Sequence, residues 1–314
     1  MACQFEITFA ASDAPFVPAA QAALNQIDEI EAQLTVFRST SAIADLNRRA
    51  ANESVACDGD LFALLTRCEA LSRATGGAFD ITSTPLSRCW GFLRREGRLP
   101  ADPEIASARD VVGMQHVMFD GPQSRVRFGK PGVELNLGAV GKGYALDVVA
   151  TTLRQRGVGH ALLSAGRSSL LAIGGRGRGW PVDIVSARRP WPASGGPKRA
   201  ERHDRPIARA WLHNQALGTS GAGEQFVEVD GRRFGHVLDP RTGWPTDAML
   251  SASVVCASAA DADALSTAFL VGGPSLAERY CNHHPEVLAL LTPNDGSGTT
   301  LVIGHQAGAD VEKI

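Results

Sequence analysis

The chain has 314 residues, 44% of them hydrophobic and 20% charged, a balance that fits a folded globular protein and excludes a disordered one. A formal net charge of −2 supplies no basic face, so no nucleic-acid partner is expected. No run approaches the ~20 apolar residues of a membrane span.

Met1-Ala2-Cys3-Gln4 lacks the basic and apolar regions of a signal peptide. The expected location is cytoplasmic if the chain is complete, and periplasmic or membrane-anchored if a signal segment has been removed. Phe5 to Phe9 alternates like a strand with one buried face. From Pro18 to about Val36 the pattern is helical, with Leu24, Ile27, Ile30 and Leu34 on one stripe. Asp60 is placed to cap a second helix carrying Leu61, Leu64, Leu65, Cys68 and Leu71, which Gly76-Gly77 ends. Val126 to Phe128 and Glu134 to Leu137 read as strands, and a third helix runs from about Lys142 to Arg156, stopped by Gly157. Strands are expected at 161–164, 170–173 and 182–185. The Arg-, Pro- and Gly-rich stretch from Ser186 to Pro206 reads as an exposed loop or insertion. Phe226 to Val229 and Arg233 to Leu238 flank Asp230-Gly231, a two-residue hairpin signal. Ser251 to Cys256 is a strand feeding a helix from Ala259 to about Val271, closed by Gly272-Gly273. Irregular alternation of strands and helices, with hairpins, argues for an α+β fold. The six scattered cysteines form no C-x-x-C, so free thiols are expected rather than disulfides or a zinc site.

Three segments carry chemistry. In Glu134 to Asp147, a strand runs through Gly138, Gly141 and Gly143 into a helix, with Lys142 at its start. Glycines let backbone approach a ligand closely, and the free N–H groups of a helix start favour an anion. The spacing matches neither a Walker A loop nor a Rossmann fingerprint; phosphate binding and a plain strand-to-helix turn both remain open. In Ser258 to Ala268, Ser258 and Asp261 form a cap-like start, and Asp263 and Thr267 lie one turn apart on one face. Asp261 falls about 200° round the axis from Asp263 and points elsewhere. A carboxylate and a hydroxyl so placed suit Mg²⁺, which takes few protein oxygens and completes its shell with water and phosphate; a surface charge beside a filler is the alternative. In the third, Gly218-Thr219-Ser220-Gly221 is followed by Gly235 to Gly243, where His236 stands among strand residues before the turn Asp239-Pro-Arg-Thr-Gly243. His236 is a candidate general base or a structural histidine.

Taken in order, these segments resemble the ApbE family of flavin transferases. Glu31 to Asn47 is similar to that family's first helix and its "YRPDSELSRLN" stretch. Phe79 to Leu86 with Cys89-Trp-Gly-Phe92 resembles "FDPTVGPLVNLWGF", and Gly138 to Asp147 resembles "DLGGIAKGYAVD". Thr219-Ser-Gly with His236 to Gly243 resembles "TSGDYERFF…HIIDPRTGYP", and Ala262 to Thr267 resembles "ADALATA".

The resemblance covers nearly the whole chain. It implies a single α+β domain over 1–314, with mixed, largely antiparallel sheets, packed helices and a flavin-binding cleft. By the same resemblance Mg²⁺ would be held by Asp263, Thr267 and the carbonyl of Ala139. Flavin contacts would come from Phe37, Trp90, Gly91, Phe92, Asn136, Lys142, Thr219, Ser220 and His236. The implied reaction transfers FMN from FAD to a Thr or Ser hydroxyl of a client flavoprotein and releases AMP, with His236 and Asp263 as catalytic residues.

The chain departs from the family pattern at three places. Asn136 replaces an acidic residue, "NLGGDI" appears as Ser164-Ala-Gly-Arg-Ser-Ser169, and "SGDYERFF" appears as Ser220 to Phe226 without its aspartate, tyrosine and arginine. These departures keep two alternatives open: a Mg²⁺-dependent FAD diphosphatase giving FMN and AMP, and a non-catalytic FAD-binding protein. Replacing Asp263 by Ala is expected to remove turnover with little cost in stability, on the view that its carboxylate faces the cleft.

Overall fold

The computed structural model describes residues 3–94, 96–185, 206–222, 226–229, 232–304 and 310–313. Strand β1 (Phe5–Thr8) leads into α1 (Val17–Leu34), which starts with proline in its first turn, where the missing N–H costs nothing. Ala20, Ala23, Ile27, Ile30 and Leu34 form its buried stripe. Helix α2 (Ala42–Arg49) and strand β2 (Val55–Ala56) follow. Helix α3 (Gly59–Ala74) is capped by Asp58, whose carboxylate accepts from Leu61 N at 2.8 Å. The cap is thus Asp58 rather than Asp60, which sits inside the first turn. Next come α4 (Thr84–Cys89), α5 (Asp102–Asp110), β3 (Val117–Asp120), β4 (Arg125–Phe128) and α6 (Gly141–Gln155).

The expected strand at Glu134 to Leu137 does not form. It is an extended segment with a single bridge, Ser83 to Glu134, and its backbone bonds to side chains and loops instead: Asn47 Oδ1 accepts from Leu135 N at 2.7 Å and Ile81 O from Asn136 N at 2.7 Å. An apolar alternation is also satisfied by an extended chain threaded through a core, which is why the pattern misled.

The second half carries β5 (Ala161–Ala165), β6 (Ser169–Ile173), β7 (Trp180–Val185), β8 (Pro206–Leu212), β9 (Ala216–Gly221), β10 (Phe226–Val229) and β11 (Arg232–Gly235). It ends with β12 (Met249–Cys256), α7 (Ala259–His283), β13 (Leu288–Pro293), β14 (Leu301–Ile303) and β15 (Asp310–Lys313). The expected loop falls on residues 186–205, outside the described residues, while Pro206 already opens β8. Residues 230 and 231 of the expected turn also lie outside them; the flanking strands pair as a hairpin, Phe226 opposite Gly235, and the second ends at Gly235 rather than Leu238. Helix α7 bends where Gly272-Gly273 marked an end: Gly273 takes φ 66°, and a further helical stretch continues to His283.

The fold is α+β with antiparallel sheets, as expected. Seven strands form the central sheet in the order β1-β5-β6-β9-β12-β13-β14, every neighbouring pair antiparallel. Both of its faces are covered. On one, Leu171, Ala216, Ala252, Val254 and Leu291 pack with α1, α6 and α7. On the other, Ala172, Leu217, Val255, Leu288 and Leu290 pack on the three-stranded sheet β15-β8-β7 through Val182, Ile184, Ala208, Ala210 and Leu212. The alternation is the two-residue period of the pleat, and it makes β12 buried along its full length. A smaller sheet, β2-β4-β3, shares the helix-side core through Val55, Val117, Val126 and Phe128. The β10–β11 ribbon joins α4 and α5 around Trp90 in a separate apolar cluster. All six cysteines are free, and four are buried. No helix among the described residues is long and apolar enough to cross a membrane.

Candidate active site

Helices α6 and α7 cap each other. Ser258 opens α7 and accepts from Asp261 N at 3.2 Å. The stronger cap comes from Asp147 on α6. Its carboxylate accepts from Ala259 N and Ala260 N, both at 2.9 Å, and from the Ser258 hydroxyl at 2.8 Å. Burial raises the Asp147 pKa, and those three donors oppose the rise. In return, α6 has no side-chain cap of its own; Asp263 Oδ2 on α7 accepts from Gly143 N at 2.8 Å. Gly143 N is one of the first-turn N–H groups without an intrahelical partner, and the positive end of the helix dipole favours a carboxylate there.

Two glycines set the approach of these elements. A Cβ on Gly143 would lie 2.0 Å from Ala259 O, and one on Gly218 of β9 would lie 2.4 Å from Ala262 C. Gly143 was expected to admit a ligand; its bare Cα instead admits the start of α7. Gly218 pairs with Ser169 of β6, so α7 settles close enough to the sheet for the Ser169 hydroxyl to donate to Asp263 Oδ1 at 2.6 Å. Asp263 is accordingly only 6% exposed, which corrects the expectation of a carboxylate open to a cleft. Desolvation pushes its pKa up to about 6, while Lys142, Ser169 and Gly143 pull it down.

Around this carboxylate the sheet and helices present oxygen atoms. Thr267 lies one turn on, its hydroxyl donating to Asp263 O at 3.2 Å and standing 3.0 Å from Ser220 Oγ. Ser220 also meets the Ser266 hydroxyl at 2.8 Å. Asp263 and Thr267 therefore both reach the helix-side face of adjacent strands, one through Ser169 of β6 and the other through Ser220 of β9. Of the expected pair, Thr219 turns instead to Ser253 of β12 at 2.9 Å. Lys142, at the start of α6, donates to Ser168 Oγ at 2.7 Å and forms no ion pair among the described residues. Asp261 points the other way, as its angle predicted: its Oδ1 accepts from Arg67 Nε at 2.9 Å.

The remaining expected residues are spread over four segments between the regular elements. Asn136 Oδ1 accepts from Gly138 N at 2.8 Å, folding the turn that carries Ala139. Phe37, 77% exposed, stands in the loop between α1 and α2. The Trp90 ring is fully buried, with its Nε1 donating to Gly243 O at 2.9 Å. It packs against Phe92, Phe234 and Trp244, so this indole has no open face and instead holds the turn from Asp239 to Gly243. Gly91 (φ 75°) turns the chain from Trp90 to the partly exposed Phe92. Arg241 reinforces the same turn by a two-pronged bond to Asp239, 2.8 Å on each arm. His236 leaves β11 just after Gly235, whose absent Cβ would lie 3.1 Å from Ala222 O; β11 thus meets the chain two residues beyond Ser220.

The sequence reading missed Asp147, Ser168, Ser169 and Ser266. Asp147 was legible only as the last residue of a motif, Ser168 and Ser169 only as departures from one, and Ser266 only as a member of the Ala262 to Thr267 segment.

An oxygen-rich donor set suits a hard cation. Asp263 receives one hydrogen bond on each oxygen and keeps further acceptor capacity on both. No group of three His, Cys, Asp or Glu able to hold a metal exists among the described residues. An ion here would thus rest on one carboxylate with hydroxyl or carbonyl oxygens, the few-ligand arrangement that Mg²⁺ accepts.

Comparison with known proteins gives a consistent result. The model of the ApbE family matches residues 1–291. The FAD:protein FMN transferase of Klebsiella pneumoniae is 30% identical over 261 residues, covering 81% of this chain and 71% of that protein. The FAD:protein FMN transferase of Escherichia coli K12 is 26% identical over 281 residues, covering 88% and 77% respectively. Among solved structures, the ApbE protein from Thermotoga maritima is similar with a TM-score of 0.79 at 28% identity, covering 95% of this chain and 92% of that one.

Proposed function

The chain belongs to the ApbE family, and we propose that it is an FAD:protein FMN transferase, moving FMN from FAD to a Thr or Ser hydroxyl of a client protein. The observation that carries this reading is the mutual capping of α6 and α7. It gathers Asp263, Lys142, Thr267 and Ser220 on one patch although the two motifs are 120 residues apart.

FAD is a dianionic diphosphate, and splitting it between its phosphates builds negative charge on the leaving AMP. Lys142 brings a positive charge to the start of α6 and, among the described residues, bonds to a neutral hydroxyl rather than to a carboxylate, so its field is available to the diphosphate. Asp263 and Thr267, with the Ala139 carbonyl, would hold Mg²⁺, which when bound neutralises phosphate charge. The client hydroxyl oxygen forms a bond to the FMN phosphorus as the bond from that phosphorus to the AMP oxygen breaks. The hydroxyl proton goes to a base, for which His236 is our assignment. Phe37, Phe92 and Asn136 are our assignment for flavin contacts, while the buried Trp90 and the turn at Gly91 would hold the chain that carries Phe92.

Co-expression with a flavin-accepting client tests the proposal. The expected result is a fluorescent client band, a mass increase equal to FMN on one Thr or Ser, and one AMP per flavin. FAD that binds and yields FMN and AMP with no client present, and no labelled client, would instead identify a diphosphatase.

A further inference from the structure

Nothing in the transfer chemistry above uses the turn between β5 and β6, yet that turn touches both charged groups of the site. Gly166 (φ 61°) reverses the chain, and Ser168 and Ser169 follow as consecutive residues. Ser168 Oγ accepts from Lys142 Nζ at 2.7 Å, and Ser168 O accepts from Thr219 N at 2.7 Å, which ties the turn to β9. Ser169, 1% exposed, spends its hydroxyl proton on Asp263 Oδ1 at 2.6 Å. One serine thus addresses the cation and its neighbour the carboxylate.

Resting on the transferase reading, we infer that Ser168 and Ser169 are a pair of positioning residues with separable duties: Ser169 orients the Asp263 carboxylate toward a metal, and Ser168 holds the Lys142 ammonium toward the diphosphate without neutralising it. The argument is geometric. Asp263 is pinned between Gly143 N on one oxygen and Ser169 on the other, so its side-chain rotation is fixed by two donors from different elements. Donors to a ligating carboxylate set its direction and hence its affinity for the ion. At Lys142 the choice of hydroxyl matters in itself. Where the family pattern carries an acidic residue this chain has the Ser168 hydroxyl, which accepts one hydrogen bond from the ammonium and leaves its charge whole.

The test uses the full chain and Mn²⁺ as probe, titrated by electron paramagnetic resonance without FAD, alongside transfer kinetics. Ser169→Ala is expected to weaken Mn²⁺ binding about tenfold, whereas Ser168→Ala leaves it within about twofold. The same Ser168→Ala variant is expected to raise KM for FAD about tenfold with little change in kcat, the pattern of lost ground-state binding. Ser169→Thr keeps the hydroxyl and is expected to restore Mn²⁺ affinity. Wild-type Mn²⁺ affinity in Ser169→Ala, or the same defect in the Ser168 and Ser169 variants, would overturn the assignment. A stability cycle on metal-free protein separates this inference from the metal reading. Ser169→Ala and Asp263→Ala are expected to be non-additive, since each removes the same hydrogen bond. Additive effects would remove the positioning role even where Mn²⁺ binds, and non-additive effects would sustain it even where Mn²⁺ does not.

Discussion

Gly143 and Asp263 stand 120 residues apart in the chain and 2.8 Å apart in the fold, a backbone N–H of one helix donating to a carboxylate of another. The bond places a desolvated anion at the positive end of α6, beside Lys142, and makes one residue both a structural cap and the candidate metal ligand.

That double role predicts opposite effects on stability and on activity. Burial pushes the folded-state pKa of Asp263 up to about 6, above the ordinary aspartate value of 3.8. A carboxyl with a raised pKa contributes stability that is full below about pH 4 and is lost as pH rises through about 6. Ionised Asp263 therefore costs the metal-free protein on the order of 2–3 kcal/mol at pH 8. Asp263→Asn is expected to abolish transfer yet raise the melting temperature in EDTA at pH 8, with little gain at pH 4. Mg²⁺ should stabilise the wild type more at pH 8 than at pH 5. A melting temperature in EDTA at pH 8 that falls on Asp263→Asn would contradict this account.

Asp261 provides the control two residues away. Its partner Arg67 is half exposed, and exposed ion pairs contribute about 0–1 kcal/mol. Asp261→Ala should leave the rate of client flavinylation unchanged and lower stability by no more than about 1 kcal/mol in urea titrations. A large loss of rate would mean that the two faces of α7 are not independent.

Asp147 is predicted to matter through α7. Its removal strips three hydrogen bonds from the start of that helix, leaving two buried N–H groups without acceptors. Asp147→Ala should cost about 2–4 kcal/mol by denaturant unfolding. The same variant should reduce kcat, because Asp263 is carried on the first turns of the helix it caps.

Glycine substitutions separate packing from ligand approach. Gly143→Ala places a methyl 2.0 Å from Ala259 O, backbone that cannot move aside. Overpacking of this kind costs about 1–3 kcal/mol or more, and transfer should be lost with it. Gly138→Ala meets only the Asn136 side chain, at 3.1 Å, and should be tolerated within about 1 kcal/mol. Equal thermal shifts in the two variants would argue against the close approach of α6 to α7.

Much of the site was legible because its signals are local. The 3.6-residue period alone set Asp263 and Thr267 on one face of α7 and turned Asp261 away, and the structure links those residues to β6, β9 and Arg67 accordingly. The bend at Gly273 and the end of α6 at Gly157 were equally local, since each needs a positive φ. The segment from Glu134 to Leu137 shows the limit: alternation marks which side chains are buried but not whether a neighbouring strand exists to pair with.

By itself, then, the sequence determined the α+β class, the helix faces and the order of motifs, because each follows from spacings within a few residues. Only the tertiary structure decided that Gly143 makes room for a helix rather than a ligand, that Trp90 is a buried brace for a turn, and that Asp147 and Asp263 cap each other's helices. Those outcomes depend on which elements are pressed together by burial of the common core, and hydrogen bonds spanning 94 to 120 residues leave no periodic trace in the chain.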